Sequence, residues 1–151
     1  MPCSFRREAL HGLRRAANKG RYTMAAQRQQ KQKIFVVDDD GSVRRALQRL
    51  LVAIGYEVET FASATEFLGA VSAQSAGCLI LDVHMPGMDG FQLQEELNSL
   101  GSRLPVILIT GDRDSGIGER GAKAGAVGFL QKPFDDTSLL CLVNAALTGA
   151  D

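Results

Sequence analysis

Between residues 33 and 148 the spacing of apolar and polar positions changes period again and again, and each change marks an element. Ile34, Phe35, Val36 and Val37 form a short continuous apolar run, as a strand buried on both faces does. From Ser42 the apolar residues recur in steps of three and four: Val43, Ala46, Leu47, Leu50, Leu51 and Ile54. That is the stripe of an amphipathic helix, and Gly55 ends it. Residues 56–61 (YEVETF) alternate, which predicts a half-exposed edge strand. Ser63 stands three residues before Glu66, a capping-box spacing that opens a second helix. Residues 78–82 (CLILD) predict another buried strand. Residues 85–90 (MPGMDG) then turn the chain into a helix with Leu93, Leu97 and Leu100 inward.

Residues 105–110 (PVILIT) and 126–131 (AVGFLQ) predict a fourth and a fifth strand. The glycine-rich stretch 111–125 between them predicts a short, poor helix, because Gly116, Gly118 and Gly121 each cost about 1 kcal/mol relative to Ala in a helix interior. A last helix, roughly 135–148, turns Leu139, Leu142, Val143, Ala146 and Leu147 inward. Strands alternating with helices in this way specify an α/β fold: a doubly wound, five-stranded parallel sheet with five helices over its two faces.

The chain of 151 residues is long enough for one domain with a proper core. No apolar stretch approaches the roughly 18 residues that cross a bilayer. No secretory signal pattern is visible, so a soluble, cytoplasmic protein with no membrane partner is expected. Cys3, Cys78 and Cys141 are odd in number and scattered, which argues against a disulfide framework and structural zinc; Cys78 and Cys141 read as small reduced core residues.

The net charge of zero conceals an asymmetry. Residues 1–33 hold nine basic side chains and one acid, Glu8, which leaves eight basic and sixteen acidic residues for the rest. Residues 1–32 therefore read as a basic, solvated leader before a domain at 33–148, with Met24 an alternative start. A nucleic-acid contact of this leader is the competing reading, but the domain itself is acidic and carries no recognition helix.

In a doubly wound sheet, ligands bind at the carboxyl ends of the strands. The first strand ends in Asp38 and Asp39, the third in Asp82, the fourth in Thr110 and the fifth in Lys132. Two carboxylates about 4 Å apart repel by about 4 kcal/mol at an effective dielectric of 20, so such a cluster implies a cation. Hard oxygen donors suit Mg²⁺. There is neither an EF-hand spacing nor a G-x-x-x-x-G-K-[ST] loop. Asp40 reads as a solvated acid at a helix N-terminus, favoured by the dipole.

Four segments in this order, VVDDD (36–40), LILDVHMPGMDG (79–90), VILITG (106–111) and KAGAVGFLQKPF (123–134), resemble the receiver domain of two-component response regulators, with the FixJ type closest in style. The resemblance implies the CheY-like, flavodoxin-like fold with strand order 2-1-3-4-5. It implies that Asp82 accepts a phosphoryl group from a histidine kinase or phosphotransfer protein. Asp38, Asp39, Asp82 and the backbone carbonyl of His84 would hold Mg²⁺, and Lys132 would pair with a phosphoryl oxygen. Thr110 and Phe129 would form the switch, with the side chains of His84 and Asp112 tuning hydrolysis. A cis peptide before Pro133 is implied too.

Such a chain is a signalling protein that catalyses only its own phosphotransfer and dephosphorylation. The eroded fourth helix leads us to expect a monomer or a weak, phosphorylation-dependent dimer. No output domain follows the last helix, so the alternative is a DNA-binding regulator whose output part is missing. An aspartyl-phosphate phosphatase is disfavoured, since Asp82-Val83-His84 lacks the D-x-D pattern.

Overall fold

A computed structural model describes residues 32–72, 74–111 and 116–149. Residues 1–31 of the expected leader, and Asp112, therefore lie outside the described residues. In chain order the elements are β1 (Lys33–Val37), α1 (Gly41–Ile54), β2 (Glu57–Phe61), α2 (Ala64–Ala70), β3 (Cys78–Asp82), α3 (Gly90–Ser99), β4 (Val106–Thr110), α4 (Gly116–Lys123), β5 (Gly128–Gln131) and α5 (Asp136–Thr148). All strand pairs are parallel, in the order β2-β1-β3-β4-β5. The fold is the expected one, with β2 at one edge.

Alternation along the strands divides the core in two. Ile34, Val36, Cys78, Ile80, Ile107 and Ile109 face Leu47 and Leu51 of α1 and Leu139, Leu140 and Val143 of α5. Phe35, Val37, Leu79, Leu81, Val106 and Leu108 face Phe67 of α2, Phe91, Leu93 and Leu97 of α3, and Ile117 of α4. Hence α1 and α5 cover one face and α2, α3 and α4 the other.

The helix ends follow local chemistry. Asp40 is the N-cap of α1 and accepts a hydrogen bond from Ser42 N at 2.9 Å, a more specific role than the solvated acid expected. Gly55 closes α1 at φ 119°, a left-handed conformation that glycine adopts without cost. Ser63 caps α2 by accepting from Glu66 N, but the reciprocal capping box forms on α3, between Asp89 and Gln92. Leu100 does not face inward as expected: it is 53% exposed, because α3 ends at Ser99 and Leu100 sits at the cap. The glycine-rich α4 is present as eight residues. Gly121 lets it lie against the sheet, since a Cβ there would fall 2.4 Å from Leu108 Cδ1.

Cys78 is a free, fully buried thiol, and burial pushes it up to about 12. Cys141, half-buried on α5, is disulfide-bonded rather than reduced as expected. Among the described residues no helix is long and apolar enough to cross a membrane.

Candidate functional site

The site grows out of strand register. Val37 pairs with Leu81, so the next residues, Asp38 and Asp82, leave their strands side by side. Both continue the row of Val36 and Ile80, on the α1/α5 face. Lys132 follows Leu130 onto the same face. Its Nζ lies 3.0 Å from Asp38 Oδ2 and 3.8 Å from Asp82 Oδ2. Thr110 instead continues the row of Val106 and Leu108 on the opposite face, where it is fully buried. Phe129 packs against that same half of the core, beside α4: a Cβ on Gly118 would lie 3.4 Å from its ring. The sheet edge thus holds the acids and the ammonium on one side and the expected switch pair on the other. Backbone joins the sides, for Lys132 N donates to Thr110 O. The Lys132–Pro133 peptide is cis, as expected.

One carboxylate oxygen from each of Asp38, Asp39 and Asp82 lies within 4.8 Å of the others. Asp38 is fully buried and Asp82 is 4% exposed, whereas Asp39 is open to solvent. Asp38 is held at every polar atom. Its N–H donates to Phe61 O, Oδ1 accepts from Asp40 N at 2.9 Å, Oδ2 meets Lys132, and its carbonyl accepts from Arg44 Nη1 at 2.6 Å. Asp82 Oδ1 accepts a long bond of 3.4 Å from His84 N. The His84 side chain stays exposed at the rim.

The electrostatics show what the cluster lacks. Burial, then the charges of Asp38 and Asp39, push Asp82 up to about 7, against the opposing pull of Lys132 and the His84 N–H. Burial alone would lower Lys132, but the hydrogen bond and charge of Asp38, with Asp82 and Asp40 behind them, hold it above its ordinary value. One ammonium is shared by two buried carboxylates. A small divalent cation bound by oxygen would supply the missing charge, so the donor set fits Mg²⁺.

Gly90 positions Asp82 from behind. A Cβ at Gly90 would lie 2.6 Å from Asp82 O and 2.9 Å from Val83 Cα, and Gly90 N donates to Val83 O at 2.9 Å. These are backbone atoms in a buried strand end, with no room to yield. Gly90→Ala is expected to lower stability by about 2 kcal/mol through overpacking, read as a reduced urea midpoint at unchanged slope.

The structure brings Asp38, Asp39, Asp82 and Lys132 together and leaves His84 at the margin. Arg44 is the participant that sequence reasoning missed. It stands in a helix beside a second arginine, and nothing in the pattern separates the two.

A 2-1-3-4-5 parallel sheet carries paired acids, a third acid and a lysine at its carboxyl rim. The chain belongs to the response regulator receiver domain family, whose sequence profile matches residues 34–144. It is 46% identical over 114 residues to the response regulator protein TodT of Pseudomonas putida, covering 76% of this chain and 50% of that protein. It is 38% identical over 118 residues to the transcriptional regulatory protein FixJ of Bradyrhizobium diazoefficiens, covering 78% and 58% respectively. The crystal structure of FixJ-N superposes with a TM-score of 0.74 at 34% identity, over 81% of this chain and 98% of that one. The chain spans about half the length of the curated relatives it matches.

Proposed function

We propose that Asp82 is the phosphoacceptor of this receiver and takes its phosphoryl group from the phosphohistidine of a sensor kinase or phosphotransfer protein. An Asp82 oxygen attacks phosphorus, a P–O bond forms, the P–N bond of the donor breaks, and the leaving imidazole takes up a proton. Asp38, Asp39 and Asp82, with the backbone carbonyl of His84, would hold Mg²⁺, which when bound neutralises charge on the phosphoryl oxygens. Lys132, already 3.8 Å from Asp82 Oδ2, pairs with a phosphoryl oxygen as a point charge. Thr110 and Phe129 report the new group to the α4 side of the sheet, where an output partner is met.

The observation that carries this reading is the near-complete burial of Asp82 beside one shared ammonium and two further acids. A carboxylate placed there is costly for the fold alone. The test is intact mass after incubation with acetyl phosphate and Mg²⁺. One added phosphoryl group is expected, absent in Asp82→Asn and absent without Mg²⁺. If acetyl phosphate and a histidine-phosphorylated donor both fail to modify the protein, and beryllofluoride does not bind, the reading is wrong.

A second reading, that this receiver is part of a longer transcriptional regulator, is favoured by the length of its relatives and by its similarity to the transcriptional regulatory protein FixJ. DNA binding by residues 1–151 that weakens with salt would favour it further.

A further inference from the structure

Arg44 sits one turn into α1 and its guanidinium folds back toward the helix N-terminus, where Nη1 donates to Asp38 O at 2.6 Å. A cation there opposes the positive end of the helix dipole. The placement is sustained by what it touches. The Asp38 carbonyl belongs to the peptide that joins Asp38 to Asp39, and fixing that peptide plane fixes where Asp39 N and Cα lie, leaving only φ and the side-chain torsions to aim the carboxylate. Asp38 needs no such help, since its carboxylate is already fixed by Asp40 N and Lys132. Asp39 is exposed and stands just beyond the end of β1. Its direction therefore depends on the peptide before it.

We propose that Arg44 is a positioning residue for the cation site: by clamping the Asp38 carbonyl it aims the Asp39 carboxylate at the space shared with Asp38 and Asp82. This rests on the reading of the rim as a Mg²⁺ site. The proposal separates from a simple charge effect by sign. Removing a cation beside three carboxylates strengthens their attraction for Mg²⁺, whereas releasing the peptide that aims Asp39 weakens it.

The experiment is calorimetric titration of Mg²⁺ alone into the wild-type protein, Arg44→Met, Arg44→Lys and Arg45→Met at one ionic strength, with an unfolding curve for each. Arg44→Met keeps the apolar stem and loses the donors, and its Mg²⁺ affinity is expected to fall about tenfold, as for other residues that orient a metal ligand. Arg44→Lys, which can still donate to the carbonyl, is expected to recover affinity to within about threefold of wild type. Arg45→Met removes the same charge from the neighbouring, exposed position and is expected to leave affinity unchanged or raise it. Should Arg44→Met disturb folding, Arg44→Gln, two bonds shorter than arginine's reach, is expected to show the same loss. Wild-type-like or tighter Mg²⁺ binding in the folded Met or Gln variant would overturn the proposal, as would a Lys variant as weak as Met. A wild-type protein that gives no heat with Mg²⁺ and whose unfolding midpoint Mg²⁺ does not move would overturn the cation reading itself, a result distinguishable from either.

Discussion

In metal-free buffer at pH 8, Asp82→Asn is expected to be more stable than the wild-type protein by about 2 kcal/mol, a rise of several degrees in the thermal midpoint. The folded protein holds Asp82 at about 7, well above the ordinary 3.8, chiefly through burial and then the charge of Asp38. A raised carboxyl means that the native state binds this proton more tightly than the unfolded chain does. The associated stability is fully present below about pH 4 and is lost as pH climbs toward 7, because the fold must then carry the ionised group. Asparagine has no such ionisation. Its advantage should be small at pH 4, grow through the window from 4 to 7, and level off above it. Mg²⁺ should reverse the order, since it stabilises only a site that binds it. Chemical or thermal unfolding at a series of pH values checks this. An advantage independent of pH, or none at pH 8, would show that Asp82 is not under electrostatic load.

Replacing the counter-charge has the opposite sign. Lys132→Met is expected to destabilise the metal-free protein by about 3 kcal/mol at pH 7. Asp38 is fully buried, and Lys132 is its ion-pair partner at 3.0 Å and lies 3.8 Å from Asp82. Removing one member of a buried pair strands the other, here Asp38, while Asp82 escapes by taking up a proton. The lysine is held above 10.5 in the fold, so its contribution is complete at pH 7 and would be lost only in strong alkali. The companion change Asp38→Asn should recover much of the loss. Urea unfolding of the single and double variants measures it, and strict additivity would contradict the coupling that the distances imply.

Much of this was legible in the chain because the signals were local. An apolar strand followed at once by Asp38, Asp82, Thr110 or Lys132 puts a candidate site side chain at a rigid end, and the switching period of the pattern fixes the alternation that builds the sheet. The misses were where tertiary position decides. Leu100 continues the helical stripe of Leu93 and Leu97, but the helix stops a residue earlier and turns it outward. Ser63 carries the capping-box spacing to Glu66, yet the reciprocal pair closes between Asp89 and Gln92, which the sequence reading passed over. Arg44 and Arg45 are indistinguishable by type and spacing, and only the backward reach of one to the Asp38 carbonyl sets it apart.

The division of the rim by the sheet has a consequence for how such a protein can diversify. Asp38, Asp82 and Lys132 belong to the α1/α5 half of the core, and Thr110 and Phe129 to the half covered by α2, α3 and α4. Gly90, at the start of α3, is where the latter half touches the acids, since it backs Asp82; the apolar residues of α2, α3 and α4 pack on the opposite side of the sheet from the row that carries the acids and the ammonium. On the function proposed for Asp82, the side that reads the site can be redrawn while the side that receives is kept, so the molecule would work as an adaptor with one standard input and a variable output.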